Sequence, residues 1–245
     1  MRGVCRVLVQ LAAITALAAN AHAQEAPEEL VPQWFLGIGG IVSEPRGHFA
    51  ESVGTAPGLA LNVRYSPSGA SGFGLRADFG FIRYGSNTQP ACFSVTVGCR
   101  IQLDVVTAND ILLFNLGPEW VLPGGPVRPY LAGNVGLAHF YTHSYVKGVD
   151  EHDEDGFGET TNFKDSSLAW RGGGGILVRL ARREVFVDLD LAAFYHRNGV
   201  ARYLTEVDIE DLPGGGIDMF PRRGDTNFLS FRLGVSFGLQ NRDPY

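Results

Sequence analysis

Large apolar residues alternate with glycine, asparagine, arginine and aspartate in eight stretches: Trp34–Ile41, Leu59–Ser66, Phe73–Tyr84, Asn109–Val121, Val127–Thr142, Leu168–Leu180, Glu184–His196 and Asn227–Gln240. A period of two marks strands whose two faces meet different surroundings. The last stretch is the cleanest, with Leu229, Phe231, Leu233, Val235, Phe237 and Leu239 on one face and Ser230, Arg232, Gly234, Ser236, Gly238 and Gln240 on the other. The seventh sets Val185, Val187, Leu189 and Leu191 against Glu184, Asp188 and Asp190.

The connections alternate too. Pro67-Ser68-Gly69-Ala70, Pro123-Gly124-Gly125-Pro126 and Ala181-Arg182-Arg183 are tight turns after the second, fourth and sixth stretches, whereas residues 44–56, 85–106, 145–166 and 198–225 make long loops after the others. This rhythm predicts an all-β fold, an eight-stranded antiparallel up-and-down transmembrane β-barrel with one plain end and one elaborated end. One phase conflict stands out in the fourth stretch. Ile101, Leu103 and Val105 fall on odd positions but Leu112, Phe114 and Leu116 on even ones, which predicts a bulge or a break.

An eight-stranded barrel holds little more than its own side chains. The non-apolar face, with Asn115, Asn134 and interleaved glycines, fits that space, while the Leu, Phe and Trp set would overfill it. The expected lumen is therefore an ion-pair network of Arg64, Arg76, Asp78, Glu119, Arg128, Arg171, Arg179, Glu184, Asp188, Asp190 and Arg232. Six arginines against five acids predict a sealed interior rather than an anion path, with a small or gated channel as the alternative. The apolar face then meets lipid. Its aromatics fall in two bands, Trp34, Tyr65, Phe73, Trp120 and Phe237 toward the short turns and Phe81, Tyr141, Trp170 and Tyr195 toward the loops, as membrane-interface anchors do. Lysine, the usual guard of water-facing sheets, occurs only at Lys147 and Lys164. A soluble lipocalin-like binder is disfavoured because the first strand reads Gln33-Trp34-Phe35-Leu36-Gly37, without a Gly-x-Trp motif.

Residues 1–23 read as a cleaved signal peptide: Arg2 and Arg6, an apolar run from Val7 to Ala19, and the small-x-small site Ala21-His22-Ala23. A short periplasmic segment (24–32), the barrel (33–240) and a tail (241–245) follow, with export to the bacterial cell outer membrane expected. In that oxidising setting Cys92 and Cys99 are expected to form one loop disulfide. No cofactor is implied. The run Asp150, Glu151, Asp153, Asp155 could offer oxygens to Ca²⁺, but an EF-hand frame places Asn162 where a glutamate belongs, and a solvated acidic loop accounts for it as well. Gly37-Ile38-Gly39-Gly40 and Gly172-Gly173-Gly174-Gly175 lack the strand-turn-helix frame of a nucleotide cradle. A formal net charge of −6 excludes a basic nucleic-acid footprint.

From Gln33 to Gln240 the chain resembles the small eight-stranded outer-membrane β-barrel proteins of the outer-membrane protein A and X and opacity-protein type. Its most specific match is Arg232-Leu233-Gly234-Val235-Ser236-Phe237-Gly238-Leu239, similar to the signal read by the barrel-assembly machinery, with Gly234, Phe237 and Leu239 at the signal positions. The terminal Gln240-Asn241-Arg242-Asp243-Pro244-Tyr245 departs from a strand ending on an aromatic. The resemblance implies a monomer in contact with outer-membrane lipid and lipopolysaccharide. It also implies a structural or binding role, including adhesion, for loops 44–56, 85–106, 145–166 and 198–225. A lipid A-modifying enzyme is the rival it brings. His139, His143 and Ser144 lie at the right depth, but Ala138-His139-Phe140-Tyr141-Thr142-His143-Ser144 lacks the His-x-Ser-Asn pattern, so no catalytic residue is expected.

Overall fold

The computed structural model describes residues 32–92, 102–147, 157–182, 185–211 and 217–239. Its elements are β1 (Trp34–Pro45), β2 (Ala56–Tyr65), β3 (Gly72–Cys92), β4 (Gln102–Val121), β5 (Val127–Lys147), β6 (Phe157–Arg182) and β7 (Phe186–Asn198). The short strands β8 (Val200–Tyr203), β9 (Ile209–Asp211), β10 (Ile217–Met219) and β11 (Arg222–Asp225) then precede β12 (Phe228–Leu239). Strands β1 to β7 and β12 form a closed barrel in which every neighbouring pair is antiparallel. The seam runs from Trp34 opposite Leu239 to Pro45 opposite Phe228. Closure leaves no unpaired edge, which a lipid environment would penalise.

The turn between β2 and β3 depends on Gly69 and Gly72, at φ 80° and 95°, where a Cβ would be strained. At the seam Gly39 lies opposite Gly234, and a Cβ on either would meet the other strand's backbone within 3 Å. Small residues are therefore what allow the narrow barrel to close here.

Two expected loops are largely strand. Beyond Tyr84 the β3–β4 ladder continues from Gly85 opposite Asn109 to Cys92 opposite Gln102, and β5 and β6 remain paired as far as Val146 opposite Phe157. Backbone hydrogen bonding does not stop where the lipid-facing pattern stops, so reading loops from the loss of apolar residues underestimates strand length. The phase conflict also resolves differently. The described register of β4 against β5 does not slip between Asp104 and Val121, and the irregularity sits in β3 at Tyr84, between Arg83 and Gly85. Apolar residues of β4 change face because the outward apolar run ends near Leu112, not because β4 is broken.

The barrel strands turn their large apolar residues outward, over nine positions from Trp34 to Val42 on β1 and thirteen from Leu168 to Leu180 on β6. With about 3.3 Å rise per residue and a tilt near 40°, these runs are roughly 23–33 Å tall. Leu233 is 58% exposed at mid-belt while its neighbour Arg232 is buried, the reverse of a water-soluble barrel.

Candidate functional site

The lumen has two compartments, one ionic and one apolar. The first lies toward the short turns. Arg76 of β3, 0% exposed, donates to Asp78 (2.8 Å) and Glu119 (2.5 Å) and lies 3.4 Å from Asp190. Arg232 of β12 bridges Asp78 (2.8 Å) and Asp190 (2.7 Å) and donates to the Tyr130 hydroxyl (3.0 Å), which itself donates to Asp190 (2.8 Å). Arg171 joins Asp78 and donates to Asn134 Oδ1 (3.0 Å). A second knot gathers on Asp188, paired with Arg128 (2.7 Å), Arg179 and Arg64 (3.7 Å), while Arg64 also reaches Glu119 (3.4 Å). Residues from six strands, β2 to β7, together with Arg232 of β12, thus meet in one buried network, where each charge needs partners because desolvation is costly.

Six arginines meet four carboxylates among the described residues, and the surplus rests on aromatic faces. Arg64 stacks on Phe35 (4.5 Å), Arg171 on Phe194 (4.3 Å) and Arg179 on Phe186 (4.5 Å), with Arg76 5.3 Å from the Tyr130 ring. Ring quadrupoles offer these guanidiniums a second favourable surface. Sequence reading missed this inward aromatic set. The signal was parity: Phe186 and Phe194 share it with Asp188 and Asp190, and Tyr130 with Arg128.

Toward the long loops the interior becomes apolar. Ile41, Ala60, Ile82, Ile111, Leu113, Phe140 and Phe228 form an apolar layer. It is completed from two connections. Phe49, carried on the short 3-10 helix Gly47–Glu51, packs on Tyr203 (5.1 Å), Tyr84 (6.0 Å) and Phe140 (6.1 Å). Tyr84 donates to the Leu204 carbonyl (3.1 Å), and Arg222 ties Asp208 (2.8 Å) to Ser52 (2.9 Å) across the two connections. Between the compartments a cavity of about 10 Å³ is lined by Asn115, His196, Ser230 and neighbours.

On the outer surface, Trp34 contacts Tyr65 at 4.6 Å, and Trp120, Trp170 and Tyr195 are exposed. Phe81 lies under Arg83 (5.7 Å), and Tyr141 stacks between His139 (6.0 Å) and His143 (5.5 Å). Gly234 sits at the seam, and Phe237 and Leu239 face outward. His139 shares a hydrogen bond with Ser166 (2.7 Å), while His143 lies 3.6 Å from Asp110, whose carboxylate is held by Arg83 (2.8 and 3.0 Å). Ser144 bonds Thr107 and Asn162, each at 2.7 Å, so the three residues weighed for catalysis belong to separate pairings. Glu184, Cys99 and the acidic run Asp150, Glu151, Asp153 and Asp155 lie outside the described residues; Cys92 ends β3.

No protein-family model matches the chain, and none of the curated proteins matches it. Solved structures do. The attachment invasion locus protein Ail of Yersinia pestis is 16% identical, with 84% of this chain and 98% of that one covered at a TM-score of 0.43. Neisserial surface protein A is 12% identical over 84% of this chain and 97% of that one, also at 0.43. Outer membrane protein W of E. coli is 15% identical over 85% and 98%, at 0.35. The fold rests on the strand register: this chain is a closed barrel of eight antiparallel strands, and small outer-membrane barrels are what it is similar to.

Proposed function

We propose that this chain is a bacterial outer-membrane surface protein that does not conduct freely and that binds its partner through the long connections. The observation carrying this reading is a lumen filled from both ends, with an ionic network below and an apolar layer above, around a cavity of about 10 Å³. That volume is near the space for a single water and far below an open path. The outward apolar belt supports the location, since contiguous apolar surface of this extent needs lipid.

With the interior occupied and the belt committed to lipid, the surface left for recognition is the elaborated end. There Val207 and Phe220 stand exposed next to the Arg222–Asp208 pair, on a frame braced by β8, β11 and the 3-10 helix. Rigid support of this kind lowers the ordering cost of binding.

Purified protein in planar bilayers is expected to give no stable open level, while unheated samples migrate faster than boiled ones on a detergent gel. Large, long-lived pores would overturn the closed-lumen reading. Recovery in the soluble periplasm with no heat shift would overturn the membrane one.

A further inference from the structure

Three rows of cross-strand neighbours lie one above another on the outward face of β3, β4, β5 and β6. The lowest is Phe79, Phe114, Leu137 and Leu168, all apolar. The next is Phe81, Leu112, His139 and Ser166. The third is Arg83, Asp110, Tyr141 and Lys164. Two register steps therefore carry this sector from hydrocarbon-compatible side chains to cations and hydrogen-bond donors.

The charges in the third row do not cancel. Asp110 is buried and already held by both ends of the Arg83 guanidinium, whereas Lys164 is exposed and has no ion-pair partner among the described residues. Below it, His139 and Ser166 share one hydrogen bond of 2.7 Å. If the serine donates to Nδ1, the other ring nitrogen keeps its hydrogen; if Nδ1 donates, the serine hydroxyl keeps its own. Either tautomer leaves one donor for an anion. The opposite side of the barrel differs, because the first outward residue past the belt on β1 is Glu44, paired with Arg46 at 2.9 Å.

From this juxtaposition we infer that the outer surface of β3 to β6 holds a site for the phosphate of a membrane lipid. The acyl chain lies along Phe114, Leu137 and Leu168, and the phosphate is received by Lys164, Ser166 and His139 on the adjacent strands β5 and β6. The apolar row directly beneath the donors selects an amphiphile over a free anion, since only a lipid uses both rows. The inference rests on the membrane reading proposed above and adds to it a headgroup class and an address.

Native mass spectrometry of the folded protein released from detergent micelles tests it, with bisphosphorylated lipid A, its dephosphorylated form and inorganic phosphate as probes. The phosphorylated lipid should be retained about tenfold more than the dephosphorylated one, as expected for a charge-assisted contact of about 1.4 kcal/mol. Lys164→Glu should abolish that preference and Ser166→Ala should reduce it, while Arg46→Glu, beside Glu44 on the opposite side of the barrel, should leave it intact. Ser166→Ala and Lys164→Ala carry the test if Lys164→Glu does not fold. Equal retention of the two lipids overturns the site, as does wild-type preference in folded Lys164 variants. Displacement of the lipid by millimolar inorganic phosphate marks a free-anion site and overturns it too. Failure of the wild type to insert into phosphatidylcholine vesicles would count against the membrane reading, a result distinct from a folded barrel that does not discriminate phosphate.

Discussion

Arg76 shows what a single residue does here. Fully buried and surrounded by Asp78, Glu119 and Asp190, it neutralises three carboxylates from three strands at once. Arg76→Met fills similar space but removes the close partner of Glu119, which keeps only Arg64 at 3.4 Å, so destabilisation of about 3–5 kcal/mol is expected, read by urea unfolding in detergent micelles. At the outer end, Asp165 of β6 accepts from the backbone N–H of Arg202 (2.7 Å) and of Ser166 (2.9 Å), which hold its carboxyl below the usual carboxylate range. A depressed pKa contributes stability that is present above the unfolded value, about 3.9, and is lost as pH falls through the folded one. Amide exchange at Arg202 is therefore expected to accelerate in that acid window, and Asp165→Asn to remove the pH dependence.

At the scale of elements, the outer compartment depends on two connections that meet in space. Phe49 and Tyr203 come from opposite sides of the β1–β12 seam region and bury each other above Phe140. Phe49→Ala deletes the centre of this packing and should cost about 3–5 kcal/mol, with faster proteolysis at the connections 46–55 and 199–227. Conductance should stay absent in that variant, because the arginine network below still fills the barrel; a stable open level would show that the apolar layer alone is the seal. The barrel strands were legible because an outward apolar belt and a narrow polar interior impose strict alternation. Their extensions were not. Beyond the belt both faces of β3 to β6 meet water or one another, and the periodic signal fades while the ladder continues.

For the molecule as a whole, the proposed location gives the belt and the loop end different solvents. Leu233→Lys, at mid-belt on β12, should cost about 2–4 kcal/mol in a bilayer, whereas Val207→Lys, exposed at the loop end, should be near neutral. Unfolding titrations of both variants in vesicles check this. Equal effects would mean that the apolar face is not committed to lipid.

Sequence alone determined the barrel: a period of two repeated eight times, alternate short and long connections, and a polar face too charged to be exposed to lipid. Those features are local, and strand neighbours in an up-and-down barrel are neighbours in the chain. Tertiary structure alone decided which charges meet, since Arg76 and Asp190 stand far apart in the chain and come together only after closure. It also decided how the apolar layer of the outer lumen is capped, because Phe49 and Tyr203 reach it from the connections, which carry no long period to read. The three rows on β3 to β6 likewise exist only through register, which positions Lys164 beside Tyr141 and His139 beside Ser166 and which a single strand cannot specify.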